Sequence, residues 1–561
     1  MKRVSDGTAI REMPDHSELF VALALAVGTD AQMVADLLVT ELNNYGFSSD
    51  VFRLSDYLAE QADEDYRGRP FDELIWAAMS EGDKLRQAWD RDDALALHAI
   101  SDIVATREQK SDGTVEICPG ETEPANLVRH AYILRSLKTP DELGTLRAVY
   151  GPRLVVIGAY SPYDRRVAHL AERIEASRHD EERSHWTHLP EDLIARDEKE
   201  DAAGGQDLSG TFHRADFFVR AWDRDVARDD LRRTVEILFG DPFRTPTRDE
   251  YGQFMAAGAA RRSAEFGRQV GAAIATEDGS IISLGTNEVP EFGGGSYWED
   301  QGTGGNRDFE IGNQDTNRKH LDDLVEQLRA QIAEVADVLL GQAQERSRDA
   351  AEILGWLRDE VVDSLAASLR AGGLKDLTEF GRAVHAEMDA LLEAARRGVS
   401  VSDATLYTTT FPCHNCARHV IAAGIKRVVF IEPYAKSRAE DLHPEAIAIA
   451  QSDPGQRLAF EPFVGVAPRR YLDIFDASSR AQLGHVSRKD DEGNKQTLDK
   501  ALALPVFVDA GLPQFRPKLP AYRAKELLAL DHFKQLTGEG DEPDALESEP
   551  NQQTPESGET K

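Results

Sequence analysis

The sequence predicts an α/β protein with two sheet-containing domains, and three observations lead to this prediction. Its length of 561 residues exceeds that of one ordinary domain, which has about 150 residues. Each half contains short apolar runs of strand length, of which Leu19–Val27, Arg153–Ala159 and Arg427–Ile431 are the clearest. Turn residues and helically spaced apolar residues accompany these runs, which indicates strand–helix–strand units with parallel strands.

The first domain is predicted over residues 17–245, after a polar leader at 1–16. Its predicted strands are Leu19–Val27, Phe47–Leu54, Arg153–Ala159 and Phe217–Arg220. The first strand ends in a turn at Gly28 and Thr29, and apolar residues then recur at helical spacing between Met33 and Leu42. A second helix is predicted to include Leu231–Leu238, after the last strand.

The second domain is predicted over residues 250–480. It opens with a β-hairpin over 267–286, because Asp278-Gly279 favours a tight turn between two apolar runs. A helical insertion at about 318–372 is expected to contain two amphipathic helices that form a hairpin, Leu321–Leu339 and Ile353–Leu369. The elements predicted after it are a helix at Phe380–Arg397, a strand at Ala404–Thr409, a helix at Cys413–Ala423 and a strand at Arg427–Ile431.

The end of the chain differs from both domains in composition. Residues 481–535 are expected to be a C-terminal extension. Residues 536–561 are rich in Glu, Pro, Ser and Gly and almost without apolar side chains, so an acidic disordered tail is predicted there.

Charge and composition exclude several classes of function. With 100 acidic and 65 basic residues the formal net charge is −35, which disfavours nucleic acid and anionic membranes as partners. No apolar stretch is long enough for a membrane span, and the N-terminus lacks the apolar core of a signal peptide. The chain has three cysteines, too few for a disulfide framework, so a cytoplasmic location is expected.

Two short motifs carry chemistry: His385-Ala386-Glu387 and Pro412-Cys413-His414-Asn415-Cys416. One imidazole and two thiolates form a three-ligand set for zinc that leaves a fourth position open for water. Two cysteines three apart at the start of a helix face the same side, and the helix dipole favours their thiolate forms. The pattern H-x-E followed by P-C-x-x-C is the signature of zinc nucleobase deaminases, in which the glutamate moves protons and is not a ligand.

A structural zinc site or a redox pair is the alternative for these cysteines. A structural site needs a fourth protein ligand, and His414, His419 and Cys118 are available.

On these motifs, residues 250–475 resemble the cytidine and deoxycytidylate deaminase superfamily, and within it the deoxycytidylate deaminases. The matching segments are GRQVGAAIA from Gly267, GTNEVP from Gly285, HAE, TTTFPCHNC, and VVFIEPY ending at Tyr434. The resemblance implies Zn²⁺-dependent deamination of dCMP or dCTP. It also implies metal ligands at His385, Cys413 and Cys416, catalysis by Glu387, and substrate contacts from Asn287 on the deoxyribose, Tyr434 and Arg268.

The whole architecture resembles bacterial anti-phage deoxycytidylate deaminases, in which a P-loop-kinase-like domain precedes the deaminase. That resemblance implies a cytidine deaminase-like α/β/α second domain, homo-oligomers, and depletion of the deoxycytidine nucleotide pool during infection. A working P-loop needs a lysine, which the turn at Gly28 and Thr29 lacks, and Asp30 in that turn would repel phosphate, so phosphotransfer is not expected. This degenerate domain either binds a regulatory nucleotide or phage-derived trigger there, or is purely structural.

Three other functions stay open. The same zinc site serves polynucleotide cytosine or adenine deaminases, although the negative charge argues against them. A housekeeping dCMP deaminase in dTMP biosynthesis would use the same chemistry. The third is a regulatory or scaffold protein whose deaminase site is idle.

Overall fold

The computed structural model of the chain is a mixed α/β structure with two six-stranded sheets. It describes residues 18–538 apart from several segments, which are 63–64, 119–120, 179–186, 199–207, 302–305, 311–314, 345–359, 361, 370–379, 434–436, 451–456, 477–487, 490–492, 502, 504 and 506–520. The predicted leader and most of the predicted tail lie outside the described residues. No helix in the described segments is both long and apolar enough to cross a membrane.

The first sheet has the strand order β14-β7-β6-β1-β5-β2, and its strands are parallel except for β14. The strands up to residue 245 are β1 Glu18–Leu25, β2 Ser48–Arg53, β3 Thr114–Cys118, β4 Glu121–Pro124, β5 His130–Leu137, β6 Leu154–Tyr160 and β7 Phe217–Arg220. The helices are α1 Ala31–Asn43, α2 Ser55–Gln61, α3 Phe71–Trp89, α4 Ala94–Lys110, α5 Pro140–Tyr150, α6 Tyr163–Ser177, α7 Leu189–Glu198, α8 Leu208–Phe212 and α9 Arg224–Leu238. Every residue of β1 is buried, as expected for a parallel strand covered on both faces.

The second sheet has the order β12-β13-β11-β10-β8-β9. Its strands are β8 Gly271–Ala275, β9 Ile281–Thr286, β10 Thr405–Thr410, β11 Arg427–Glu432, β12 Ile447–Ile449 and β13 Leu458–Pro462, and β14 is Gly465–Val466. The helices after residue 245 are α10 Arg248–Ala260, α11 Thr316–Gln344, α12 at 362–369, α13 Ala386–Arg396, α14 His414–Ala422, α15 Ala439–Leu442, α16 Tyr471–Phe475 and α17 Ala521–Thr537. Strands β10 to β13 are parallel to one another, whereas β8 is antiparallel to both β10 and β9.

Two glycines allow helices to lie directly on this second sheet. A Cβ atom on Gly271 would come within 2.0 Å of the Ala256 carbonyl oxygen of α10. A Cβ atom on Gly285 would come equally close, 2.0 Å, to the Ala386 carbonyl oxygen of α13. The helix that carries the H-A-E motif is therefore held against β9 at backbone contact distance.

The C-terminal part of the chain returns to the first sheet. Strand β14 pairs with β7, and Glu250 of α10 accepts hydrogen bonds from Val466 of β14 and from Arg233 of α9. Helix α17 packs on α4, where Arg107 binds both Glu18 and Glu526 at a site that is almost fully buried. Helix α17 and strand β14 thus belong, by contact, to the N-terminal unit.

The predicted strands are confirmed within one or two residues at their ends. The hairpin is also confirmed, although its first strand begins at Gly271, four residues after the predicted start. The prediction of a helix at Phe380–Arg397 is wrong over its first six residues, because the helix begins at Ala386 and Val384 forms a bridge to Glu288. Helix α11 is longer than predicted, since it continues through Gly341 to Gln344. It packs on α12, where Arg329 binds Asp363 at 2.6 Å, and the rest of the second predicted insertion helix lies outside the described residues.

Candidate metal centre and active site

The three predicted metal ligands come together at the N-terminal ends of two helices. His385 is the residue that caps α13 and Cys413 the residue that caps α14, both with extended backbone, and Cys416 lies in the first turn of α14. They form the one group of three or more His, Cys, Asp or Glu in the described residues whose ligand atoms lie within 4.8 Å of one another. His414 and His419, two of the three candidate fourth ligands of the structural-zinc alternative, are not in that group. The side chain of the third, Cys118, lies outside the described part of the structure.

The distances within this group fit zinc. Nδ1 of His385 lies 3.4 Å from Sγ of Cys413 and 3.3 Å from Sγ of Cys416. Zn–S bonds of about 2.3 Å and a Zn–N bond of about 2.0 Å, at tetrahedral angles, separate sulfur and nitrogen by about 3.5 Å. Soft thiolates with an imidazole are also a donor set that zinc prefers. His385, Cys413 and Cys416 can therefore hold the ion and leave a fourth position for water.

Glu387 lies beside the ligands without joining them. Its side chain is buried, and its Oε2 lies 3.4 Å from Sγ of Cys416. Burial and the nearby Cys413 thiolate raise the pKa of the Glu387 carboxyl. A raised pKa makes the carboxyl a better proton acceptor, which suits the general acid–base role of a group that carries protons.

The three ligands shift one another's pKa values, and zinc binding would displace protons from two of them. A hydrogen bond from Cys416 and another from His385 lower the pKa of Cys413 to about 4. The hydrogen bond to Cys413 raises the pKa of His385 to about 9, and the contact with Cys413 also raises the pKa of Cys416. Binding of zinc to both sulfurs and to neutral imidazole therefore releases protons from His385 and Cys416.

A cavity of about 400 Å³ opens in front of this group. Its volume falls in the range of sites that bind small molecules. Its wall contains His385, Glu387 and Cys413 together with Asn287 and Arg268, two of the predicted substrate contacts. The third, Tyr434, lies outside the described residues.

The two described substrate contacts already have protein partners. The side chain of Asn287 accepts a hydrogen bond from Val270 N at 2.7 Å and donates to Glu265 and to the Arg268 carbonyl oxygen. Arg268 is half exposed and its guanidinium binds Glu432 at 2.6 Å, so it is a salt-bridged residue at the edge of the cavity.

Sequence reasoning missed several residues of the cavity wall. They are Glu265, Asp308, Asp315, Asn317 and Arg382. Four of these belong to the segment 288–384 that separates the two motif-bearing parts of the domain, and they flank the predicted helical insertion at 318–372, so the flanks of that insertion contribute to the wall of the site. Glu265 and Arg382 each lie three residues from a predicted site residue, and this short separation is their signal in the sequence. The others depend on how a long loop returns to the sheet.

The predicted nucleotide contacts Gly28 and Thr29 lie far from the zinc ligands in sequence, at the end of β1. They line a second cavity of about 320 Å³. Gly28 has a φ of +87°, and a Cβ atom there would meet Arg166 at 2.8 Å, so the turn needs glycine. The hydroxyl of Thr29 is buried and has no hydrogen-bond partner in the described part of the chain.

One family model matches the part of the chain that contains the candidate metal centre. Residues 246–432 match the profile of the cytidine and deoxycytidylate deaminase zinc-binding region. This family binds zinc, and the matched range contains all three ligands and Glu387.

Individual relatives match over shorter stretches. The deoxycytidylate deaminase of Enterobacteria phage T2 is 46% identical over 55 residues, which is 10% of this chain and 29% of the relative. ComE operon protein 2 of Bacillus subtilis (strain 168) is 43% identical over 53 residues, 9% of this chain and 28% of the relative. The matches thus span under a third of the length of these relatives.

Among solved structures, the dCMP deaminase of cyanophage S-TIM5 in complex with dCMP and dUMP is 16% identical. The alignment covers 39% of this chain and 100% of that chain with a TM-score of 0.21, which is too low to carry a conclusion. Sequence match and geometry meet in one place: residues 246–432 of this chain are similar to the cytidine and deoxycytidylate deaminase zinc-binding region and bring His385, Cys413 and Cys416 within reach of one metal ion.

Proposed function

We propose that this protein is a zinc-dependent hydrolytic deaminase that converts dCMP, dCTP or both to dUMP or dUTP and ammonia. The observation that carries the proposal is the convergence of His385, Cys413 and Glu387 on a cavity of about 400 Å³, with Cys416 in contact with His385 and Glu387. The family match and the deoxycytidylate deaminase relatives support the nucleotide class.

In the proposed reaction a water oxygen bonds to C4 of cytosine and the C4–N bond to the amino group breaks. Bound zinc supplies the Lewis acidity that activates the water. Glu387 takes a proton from that water, delivers it to N3, and returns the second water proton to the departing amino group as ammonia. The burial of Glu387 and its contact with Cys416 hold the carboxyl at the metal ligands, where these transfers take place.

The test is a deamination assay of the purified, zinc-loaded chain with dCMP, dCTP, CTP and a cytosine-containing single-stranded oligonucleotide. We expect turnover of a free deoxycytidine nucleotide and none of the oligonucleotide. Turnover of the oligonucleotide alone would overturn the proposal in favour of a polynucleotide deaminase. Zinc binding without turnover of any substrate would favour an idle site.

A regulatory nucleotide in the N-terminal unit is a second part of the proposal. The cavity at Gly28 and Thr29 is lined by five cationic side chains, in a chain whose net charge is −35: Arg53, Arg86, Arg135, Lys138 and Arg173. Lys138, Arg86 and Arg53 have carboxylate partners, which are Asp197, Asp83 and Asp56. Burial and the charge of Arg53 lower the pKa of the Arg135 guanidinium, and nearby carboxylates oppose this shift. The excess of cationic over acidic side chains in the wall favours a phosphate-bearing ligand.

Calorimetric titration with ATP and with inorganic triphosphate tests this second part. We expect ATP to bind and Arg135→Gln to weaken binding about tenfold or more, the cost of one charge-assisted hydrogen bond. Equal binding by Arg135→Gln, or no binding of either probe, would refute it and favour a purely structural domain. Tighter binding of triphosphate than ATP would overturn the nucleotide assignment.

In the cell, we propose that the activity depletes the deoxycytidine nucleotide pool during phage infection and that the protein works as a homo-oligomer. The support is the resemblance in domain order stated above, an additional unit before the deaminase region. Phage challenge of bacteria that carry the wild type or Glu387→Gln tests it. Protection by the wild type alone, with a fall in dCTP, is expected. Equal sensitivity to phage in both strains would favour a housekeeping dCMP deaminase.

A further inference from the structure

The Asn287 side chain already makes three hydrogen bonds to the protein, which leave one acceptor lone pair on Oδ1 for a substrate. Its Oδ1 accepts from Val270 N at 2.7 Å, and its Nδ2 donates to Oε2 of Glu265 at 2.9 Å and to the Arg268 carbonyl oxygen at 2.5 Å. Both amide hydrogens are therefore in use, and Asn287 is 6% exposed. These bonds fix the loop between α10 and β8 to the end of β9.

Glu265 is the group that this network presents to the cavity. Asn287 Nδ2 and Arg268 N both donate to its Oε2, so the carboxylate is held from one side. Glu265 lines the same cavity as His385 and Glu387. Burial, with the charges of Asp308 and Asp315, raises the pKa of its carboxyl.

The chemistry of the proposed substrate restricts what Glu265 can bind. An ionised carboxylate only accepts hydrogen bonds, and it repels phosphate. A deoxycytidine nucleotide has two donor groups, the 4-amino group and the sugar 3′-hydroxyl. The 4-amino group is the one that leaves, and it lies at the metal ligands and Glu387. The 3′-hydroxyl is the donor that remains.

We infer that Glu265, oriented by Asn287, accepts a hydrogen bond from the sugar 3′-hydroxyl and is a specificity-determining residue of the site. This inference rests on the proposed function. It adds a charged acceptor to the sugar contact that the family resemblance places at Asn287. Asn287 also acts as a positioning residue, because its amide group holds the Glu265 carboxylate.

The experiment compares dCMP or dCTP, whichever turns over faster, with its 2′,3′-dideoxy analogue. For the wild type, the 3′-hydroxyl is expected to raise kcat/KM by about 10- to 100-fold, the range for a hydrogen bond to a charged group. In Glu265→Gln the natural substrate should lose most of that advantage, chiefly through KM, while kcat/KM for the dideoxy analogue stays within about threefold. Glu277→Gln, at the exposed turn of the β8–β9 hairpin, is the matched control and should behave as wild type.

The outcomes separate this inference from the function on which it rests. Equal kcat/KM of the wild type for both nucleotides would overturn the role of Glu265 while leaving deamination intact. A parallel loss of both activities in Glu265→Gln, with normal zinc content, would also overturn it and indicate a structural role. Absence of deamination by the wild type would refute the proposed function itself.

Discussion

Replacement of Gly285 by alanine tests how closely the H-A-E helix must lie on the sheet. The backbone of Gly285 does not have the positive φ that would strain an alanine, so the effect comes from space alone. The added Cβ atom would lie 2.0 Å from the Ala386 carbonyl oxygen and 2.4 Å from Ala390 N. Because these are backbone atoms, no side-chain rotation relieves the contact.

Relief requires movement of α13 away from β9. Ordinary contact begins at 3.4 Å, so the separation must grow by about 1.4 Å from the 2.0 Å that the backbone allows. Overpacking of this kind costs about 1–3 kcal/mol of unfolding free energy. Helix α13 also carries His385 and Glu387, and a misplacement of about 1 Å at a reacting group lowers the rate by about 100-fold.

The assays are urea unfolding, zinc content and kcat/KM for the nucleotide substrate. Gly258→Ala is the matched control, because Gly258 is exposed in α10 and nothing lies within 4 Å of its added Cβ atom. The control should gain up to about 1 kcal/mol, the propensity advantage of alanine in a helix. If Gly285→Ala unfolds and turns over like the wild type, the backbone contact between β9 and α13 is not what positions the site.

Three further variants test other parts of the account. Cys416→Ser should lower zinc affinity by at least about tenfold, measured by competition with a chelator, because a soft thiolate ligand is lost. Asp249→Asn removes the bidentate partner of Arg427, whose guanidinium overcomes burial and holds the pKa of Asp249 below its usual 3.8. The variant should be about 1.5–3 kcal/mol less stable in urea above pH 4, and the difference should shrink as pH falls below that value and the wild-type carboxyl protonates. Arg107→Ala leaves two buried carboxylates, Glu18 and Glu526, without the arginine that they share. The variant should lose about 3–5 kcal/mol of unfolding free energy in the same assay. An unchanged urea midpoint would mean that α17 does not stabilise the N-terminal unit.

The parts of the fold that the sequence predicted are those set by local pattern. Leu19–Val27 is recognisable because a fully buried parallel strand is a continuous apolar run. Strand β5, His130–Leu137, was missed because His130, Arg135 and Ser136 interrupt its apolar residues, although it lies between β1 and β2 in the sheet. The two-residue strand β14 depends on a partner some 250 residues earlier and has no signal of its own.

The candidate site also contains residues that a local sequence pattern predicts and contacts that it does not predict. The metal ligands and Glu387 could be found because their spacing on two helix starts is fixed by coordination chemistry. The hydrogen bonds of Asn287 could not be predicted from the sequence. Its partners Val270 and Glu265 lie in another loop, and nothing in the sequence indicates that they bind its amide group. The contact between α17 and α4 likewise joins Arg107 to Glu526 across almost the whole chain.

The most direct test of the central claim compares the wild type with Glu387→Gln in zinc content and in deamination of dCMP and dCTP. We predict about one zinc per chain in both proteins. The wild type should convert at least one nucleotide to its deoxyuridine product, and the rate of the variant should be at least about 100-fold lower. A variant that retains both zinc and full activity would contradict the role of Glu387. A zinc-loaded wild type that leaves both nucleotides unchanged would contradict the proposed function.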